Sequence, residues 1–221
     1  IGNQTLVNLI KKTSLPQSSL FAGPEGIGKK TLALALAAKA NCASKSLYDI
    51  CGHCESCIKA SKGNHPDILL WSASKHSIGI EAMRELTRES HYRPFQSSFR
   101  IFIVDQAEKM TREAANSILK TLEEPAETNR IILTTAFPDQ LLPTIRSRCQ
   151  LFAFKLLSLE QVIGFLKPQF GQDEAQQRAT FSGGSIGKAL ELNLEVFLED
   201  RARLIEILEK WLAKYSFIEL F

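Results

Sequence analysis

Gly23-Pro24-Glu25-Gly26-Ile27-Gly28-Lys29 has the spacing of a phosphate-binding loop. Glycines so placed let backbone N–H groups close around phosphate oxygens, while the lysine pairs with the terminal phosphates. The flanks agree with this. Ser19 to Ala22 reads as a short buried strand, and Thr31 to Ala40 as a helix whose N-terminus faces the loop. A complete loop continues with Ser or Thr, whose hydroxyl ligates magnesium, but here the next residue is Lys30. The candidate nucleotide-binding set near the loop is therefore Gly23, Gly26, Gly28, Lys29, Lys30 and Thr31. Whether nucleotide still binds is left open. Lys29 and the glycines favour binding, whereas Lys30 removes a metal ligand yet adds positive charge near phosphate.

Outward from the loop, apolar runs alternate with helical segments. Ile68–Trp71, Ile101–Val104, Ile131–Thr134 and Leu151–Phe154 are short, apolar and bounded by polar or turn residues. Such runs fit strands of a parallel sheet covered on both faces. Thr111 is placed to cap a helix with Ala115, Ile118, Leu119 and Leu122 on one face and Pro125 at its end. Strand, helix, strand in this order implies an α/β domain, expected over residues 1–157. Beyond it the strand signal disappears. Ser158-Leu-Glu-Gln161 is a capping box, and Leu204, Leu208, Trp211 and Tyr215 form a stripe at helical spacing. A small all-helical domain is expected over 158–221.

Asp105 ends the apolar run 101–104 and is placed as a metal-supporting aspartate of a nucleotide site; a strand-end cap is the plainer alternative. The residue after it, where an activating glutamate is common, is Gln106. An amide cannot take a proton as a carboxylate does.

Four of the five cysteines cluster as Cys42, Cys51, Cys54 and Cys57, a C-x8-C-x2-C-x2-C pattern. C-x2-C turns set two thiolates on one side of a loop at ligand distance, which suits structural zinc better than disulfides. Four protein ligands close the shell and leave no place for catalytic water. His53 lies inside the cluster as a possible substitute ligand, and reduced thiols are the alternative. Cys149 stands apart and is expected to pack as a small hydrophobe.

Composition sets the outer bounds. The chain has 221 residues, 44% hydrophobic and 23% charged, enough for a substantial core. A net charge of +3 does not by itself imply a nucleic-acid partner. No apolar run reaches a membrane span and no secretion signal is visible, so the expectation is a cytoplasmic protein with no membrane partner. Ile1 is not a natural start, so a trimmed N-terminus is expected.

Several motifs now stand in order: the loop, the cysteine cluster, His65-Pro66-Asp67, Asp105-Gln-Ala-Glu-Lys-Met110, Ala115-Asn-Ser-Ile-Leu-Lys-Thr-Leu-Glu-Glu-Pro125 and Ser147-Arg148-Cys149. Together they resemble the clamp-loader branch of the AAA+ ATPases, in particular the bacterial DNA polymerase III clamp-loader subunits, over essentially the whole chain. Ile1-Gly2-Asn3-Gln4 is similar to the segment near adenine in that family. The resemblance implies an AAA+ P-loop domain with a parallel sheet followed by a helical lid. It also implies a third, collar domain in full members, which this chain, ending at Phe221, is expected to lack.

The resemblance further implies roles. Motor subunits of this family hydrolyse ATP and a delta-prime subunit generally does not. This sequence departs from the motor pattern at Lys30, at Gln106, at Ala136 in the sensor-1 position beside Thr134 and Thr135, and at Gly187 in the sensor-2 position beside Lys188. These departures imply the delta-prime type. The alternative is an active gamma/tau-type ATPase in which Thr31 shifts into the metal site and Glu108 acts as base. Arg148 matches the family's arginine finger, which acts in trans on a neighbour's nucleotide, with Arg146 as its nearest rival. The implied partners are gamma/tau motor subunits, the delta subunit and, through the assembled complex, the sliding clamp and primer-template DNA.

Overall fold

The computed structural model describes residues 15–44, 50–73 and 76–214. The Ile1–Gln4 segment and Tyr215 lie outside the described residues. Two compact units divide the chain, Ile1–Leu157 and Ser158–Phe221.

The first unit is built on five strands: β1 (Ser18–Ala22), β2 (Ile68–Trp71), β3 (Arg100–Val104), β4 (Asn129–Thr135) and β5 (Gln150–Ala153). Every pairing is parallel and the order across the sheet is β2-β3-β4-β1-β5. Alternate side chains of a strand point to opposite faces, and here both faces are buried in the middle of the sheet. Phe21, Ile101, Ile103 and Ile132 face one core with Ala33 and Ala37 of helix α1 (Lys29–Ala40). Leu20, Phe102, Val104, Ile131 and Leu133 face the other, with Met83 and Leu86 of a helix over Ile80–Ser90. The edge strands are only half covered, with Leu70 and Leu151 exposed. The fifth strand is one residue earlier than its apolar run suggests, because Gln150 pairs with Ser19 while Phe154 only donates its N–H to Ala22.

Thr111 caps its helix as expected, accepting the Ala114 N–H at 3.2 Å. That helix, however, is broken at Ile118 into Arg112–Ser117 and Leu119–Glu123. The Ser117 hydroxyl donates to the Ala114 carbonyl at 2.7 Å, the acceptor that the Ile118 N–H would use in an unbroken helix. Ala115, Ile118 and Leu122 are nevertheless buried, and the segment ends before Pro125.

His65 and Asp67 brace the segment after the cysteine cluster. The buried Asp67 carboxylate accepts the N–H groups of Phe95, Gln96 and Ser97 at 2.6, 2.9 and 3.1 Å. His65 Nδ1 accepts the Asp67 N–H at 3.1 Å, and Nε2 lies 3.0 Å from Ser56 Oγ and 3.3 Å from Ser97 Oγ. An accepting Nδ1 requires the neutral ring. Burial, only partly opposed by Asp67, lowers the pKa of His65. The unfolded chain then binds the proton more readily, so stability is lost as pH falls below the unfolded value of about 6.5. A His65→Asn variant is expected to show a shallower acid slope than the parent, by up to about 1.4 kcal/mol per pH unit just below that value. Denaturant melts across pH 5 to 7.5 measure it, and equal slopes would remove this role.

The second unit is all helical among the described residues. Ser158 and Gln161 form the capping box of Leu159–Phe170, followed by Gln172–Ser182, Ile186–Glu191 and Leu194–Lys214. Val162, Leu166, Ala175, Ala179 and Ala189 are buried. Leu204, Leu208 and Trp211 on the last helix are exposed, so that stripe does not face a core within the described residues.

Candidate functional site: a loop with its own cation, a cysteine cluster and a clasped arginine

The loop leaves the C-terminal end of β1, where ligands of open parallel sheets bind. Two of its glycines are needed for its shape: Gly26 and Gly28 sit at φ 72° and 93°, in the left-handed region that β-carbons disfavour. Gly23 is needed for space, since a Cβ there would lie 2.5 Å from the Phe154 carbonyl oxygen. Lys29 begins α1 and its Nζ donates to the carbonyls of Gly23 and Pro24 at 2.6 and 2.7 Å. That uses two of three ammonium donors. Burial lowers the pKa of Lys29, against the opposing fields of Glu108, Asp105 and Glu25.

Asp105 stands at the end of β3 and both its oxygens are engaged. Oδ2 lies 3.3 Å from Lys30 Nζ, and Oδ1 accepts the Thr134 hydroxyl at 2.6 Å. Thr134 Oγ1 in turn lies 3.2 Å from the Gln106 N–H, and Gln106 is held at φ 58°. Thr134 is the polar residue on the central strand that touches Asp105. Ala136, two residues on, contributes only its N–H, 3.3 Å from Glu108 Oε1. Knowing that β4 lies beside β3 would have singled out Thr134, since Val104 pairs with Leu133. Thr31 is exposed. Magnesium in such a loop needs a hydroxyl at position 30 and a carboxylate open to its water shell. With an ammonium at position 30 and both Asp105 oxygens engaged, this donor set does not fit the ion.

The sulfur atoms of Cys42, Cys51, Cys54 and Cys57 all lie within 4.8 Å of one another, so these four residues could hold a metal ion. Cys51 and Cys57 sulfurs are 3.9 Å apart, near the roughly 3.8 Å edge of a tetrahedron with metal–sulfur bonds of about 2.3 Å. Backbone amides point at three of the sulfurs: Cys51 N–H to Cys42, Cys54 N–H to Cys51 and Cys57 N–H to Cys54, each at 3.4 Å. Amides of Ala43 and Cys57 pull the Cys54 thiol down to about 6, whereas burial pushes Cys57 up to about 12. Local structure sets the spacing. Cys42 follows the end of α1, where Asn41 is bonded in both directions to the Phe99 backbone, and Cys54 caps a short helix over Glu55–Ser61. His53 is not in the group; its Nδ1 lies 2.8 Å from the Cys51 carbonyl. Cys149 is buried in the first unit's core, as a small hydrophobe would be.

Arg148 follows a short helix over Pro143–Arg146. Its Nε and Nη2 donate to Glu123 Oε2 at 3.2 and 3.1 Å, and Nη1 to the Thr144 carbonyl at 3.1 Å. Its side chain keeps 30% of its surface accessible. Arg146 instead pairs with Asp139 at 3.0 Å. In the second unit, Ser185 caps the helix carrying Gly187 and the exposed Lys188, and accepts the Lys188 N–H at 3.3 Å.

A family model described as DNA polymerase III, delta subunit, matches residues 3–158. The chain belongs to this clamp-loader family. The delta' subunit of DNA polymerase III from Bacillus subtilis is 33% identical over 205 residues, 92% of this chain and 62% of that protein. The gamma/tau subunit from Mycobacterium tuberculosis is 42% identical over 141 residues, 62% of this chain and 24% of that one. The chain thus spans less than two thirds of the length of either clamp-loader relative. A solved gamma-subunit-related protein of Thermotoga maritima superposes with a TM-score of 0.61 at 25% identity, covering 85% of this chain and 56% of its own. RuvB of Thermotoga maritima, at TM-score 0.56 and 13% identity over 86% of this chain, shows the shared AAA+ P-loop fold alone. Among the clamp-loader relatives, the match to the delta' subunit continues through the helical unit, while the gamma/tau match has the higher identity over a shorter stretch.

Proposed function

We propose that this clamp-loader subunit is of the delta-prime type: it hydrolyses no ATP itself and presents Arg148 to the nucleotide site of a neighbouring gamma/tau motor. One observation carries the reading. Asp105, the residue that would support the metal, is engaged by Lys30 and Thr134, and the adjacent position holds Gln106 rather than a carboxylate. A nucleotide site with neither metal support nor a base has lost the two groups that drive water onto the γ-phosphate.

The partners on this reading are the gamma/tau motors, the delta subunit and, through the assembled ring, the sliding clamp and primed DNA. The four cysteines would hold zinc as a structural staple, since a closed four-thiolate shell is the zinc pattern and has no open position for chemistry.

The competing reading, an active gamma/tau-type ATPase, draws support from Glu108, whose field acts on Lys29. It needs Glu108 to leave the Ala136 amide and the exposed Thr31 to turn into the site. A steady-state assay of the purified chain with ATP and magnesium separates the two. We expect phosphate release no faster than in the Lys29→Ala variant. Clear turnover that Lys29→Ala abolishes would assign the motor role instead.

A further inference from the structure

The loop keeps most of a phosphate site while rejecting the ion that normally accompanies the phosphates. Gly26 and Gly28 still turn the backbone through the left-handed region, and Lys29 spends two of its three ammonium donors on Gly23 and Pro24 among the described residues. Lys30 stands at the hydroxyl position and reaches Asp105 at 3.3 Å, with 43% of its side chain still accessible. That ammonium therefore stands at the carboxylate that would support a metal. A divalent cation at Asp105 would meet its positive charge and a carboxylate already engaged on both oxygens.

Charge runs in the same direction without reaching the same sum. A metal-dependent loop sets one lysine and a divalent cation against the phosphates; this one offers two lysines, one positive charge fewer, the second tethered by the chain. An ammonium on a flexible stem acts as a compact point charge with rotatable donors, able to bond carboxylate and phosphate oxygens together. It lacks the Lewis acidity and ordered water shell that a metal contributes to hydrolysis.

We propose that Lys30 is a built-in replacement for the divalent cation, so that the loop takes a nucleoside polyphosphate in its metal-free form. The inference rests on reading the loop as a nucleotide site that does not hydrolyse. It makes the bound nucleotide a static, metal-independent ligand of the subunit.

Calorimetric titration of the chain with ADP and with ATP, in excess magnesium and in EDTA, tests it. Binding in EDTA is expected to be at least as tight as in magnesium, because magnesium draws free nucleotide into the complexed form. Lys30→Thr, which restores the hydroxyl, should invert this preference, binding about tenfold or more tighter with magnesium than with EDTA, a factor worth about 1.4 kcal/mol. Lys30→Met should lose binding in EDTA while keeping the parent's melting temperature, since the side chain is partly exposed. Should a Lys30 variant fail to fold, phosphorus NMR of ADP mixed with the parent chain, with and without magnesium, supplies the same comparison.

Magnesium-dependent binding by the parent overturns the inference, as does binding in EDTA that Lys30→Met leaves unchanged, or no binding in either buffer. ATP turnover overturns the non-hydrolysing reading instead. The two failures are distinguished because turnover is scored by phosphate release and the present inference by binding alone.

Discussion

Cys57→Ala is expected to empty the cysteine cluster and unlock the segment between α1 and β2. Cys57 is the buried member of the four and lies at the centre of their contacts, 3.9 Å from Cys51 and donating its N–H to Cys54. Burial raises the pKa of its thiol, while the backbone amides of Ala43 and Cys57 lower that of Cys54. A bound metal would hold all four sulfurs as thiolates. Apparent zinc-binding energies in finger peptides are about 10–16 kcal/mol, which rivals the whole stability of a typical domain at about 5–15 kcal/mol. Here a separate sheet core exists, and Asn41 and Asp67 pin the ends of the segment, so part of that binding energy is spent locally. We expect metal content to fall from about one equivalent to near zero, with a stability loss above about 4 kcal/mol, or roughly 10 °C in the melting midpoint for a unit of this size. His53→Ala, outside the cluster, should leave both unchanged. Metal analysis and thermal melts under reducing conditions decide it; a Cys57→Ala protein that still carries a full equivalent would remove the cluster as the metal site.

How far the residues announced all this differs from feature to feature, for physical reasons. The central strands were legible because both faces are buried, making the sequence apolar at every position of 101–104 and 131–133. The fifth strand was legible only to within a residue, because an exposed edge tolerates Gln150 in the ladder and Leu151 in solvent. The break at Ile118 was hidden, since an apolar face continues across it and only the Ser117 hydroxyl takes the Ala114 carbonyl. Cysteine spacing within one loop is a local signal, and the four sulfurs do meet. Thr134 could not be assigned to Asp105 because their contact depends on strand order, which spacing along the chain does not reveal. Likewise the loop spacing marks Lys30 as a missing hydroxyl, but its pairing with Asp105 bridges residues 75 apart in the chain. The same holds for Glu123 and Arg148, found in separate motifs and joined only by the fold.

On the proposed reading, Arg148→Ala in a complex assembled with gamma/tau motor subunits should abolish turnover at the one nucleotide site this chain faces. Arginine fingers contribute about 10³–10⁵ in kcat in related NTPases, so that site should fall by about a thousandfold or more while the remaining sites keep working. The geometry makes the role feasible. The guanidinium is held by one carboxylate oxygen of Glu123 and by the Thr144 carbonyl, at a position where 30% of the side chain remains accessible. An exposed pair of this kind is worth about 0–1 kcal/mol. Transfer of the fork to a neighbour's γ-phosphate, which offers bidentate acceptors and developing charge, outweighs that loss. On this reading Glu123 and Thr144 hold the guanidinium only by contacts weak enough to exchange for a phosphate. Because the pair contributes so little to folding, Arg148→Ala should melt within about 4 °C of the parent, which separates loss of chemistry from loss of structure. Arg148→Lys keeps the charge but not the planar fork and should recover only part of the rate. ATP affinity at the motor site should change far less than turnover, since the guanidinium acts on charge that develops in the transition state. If complex activity is unchanged by Arg148→Ala and falls instead with Arg146→Ala, the finger is Arg146, freed from Asp139, and the clasp at Glu123 is only a surface ion pair.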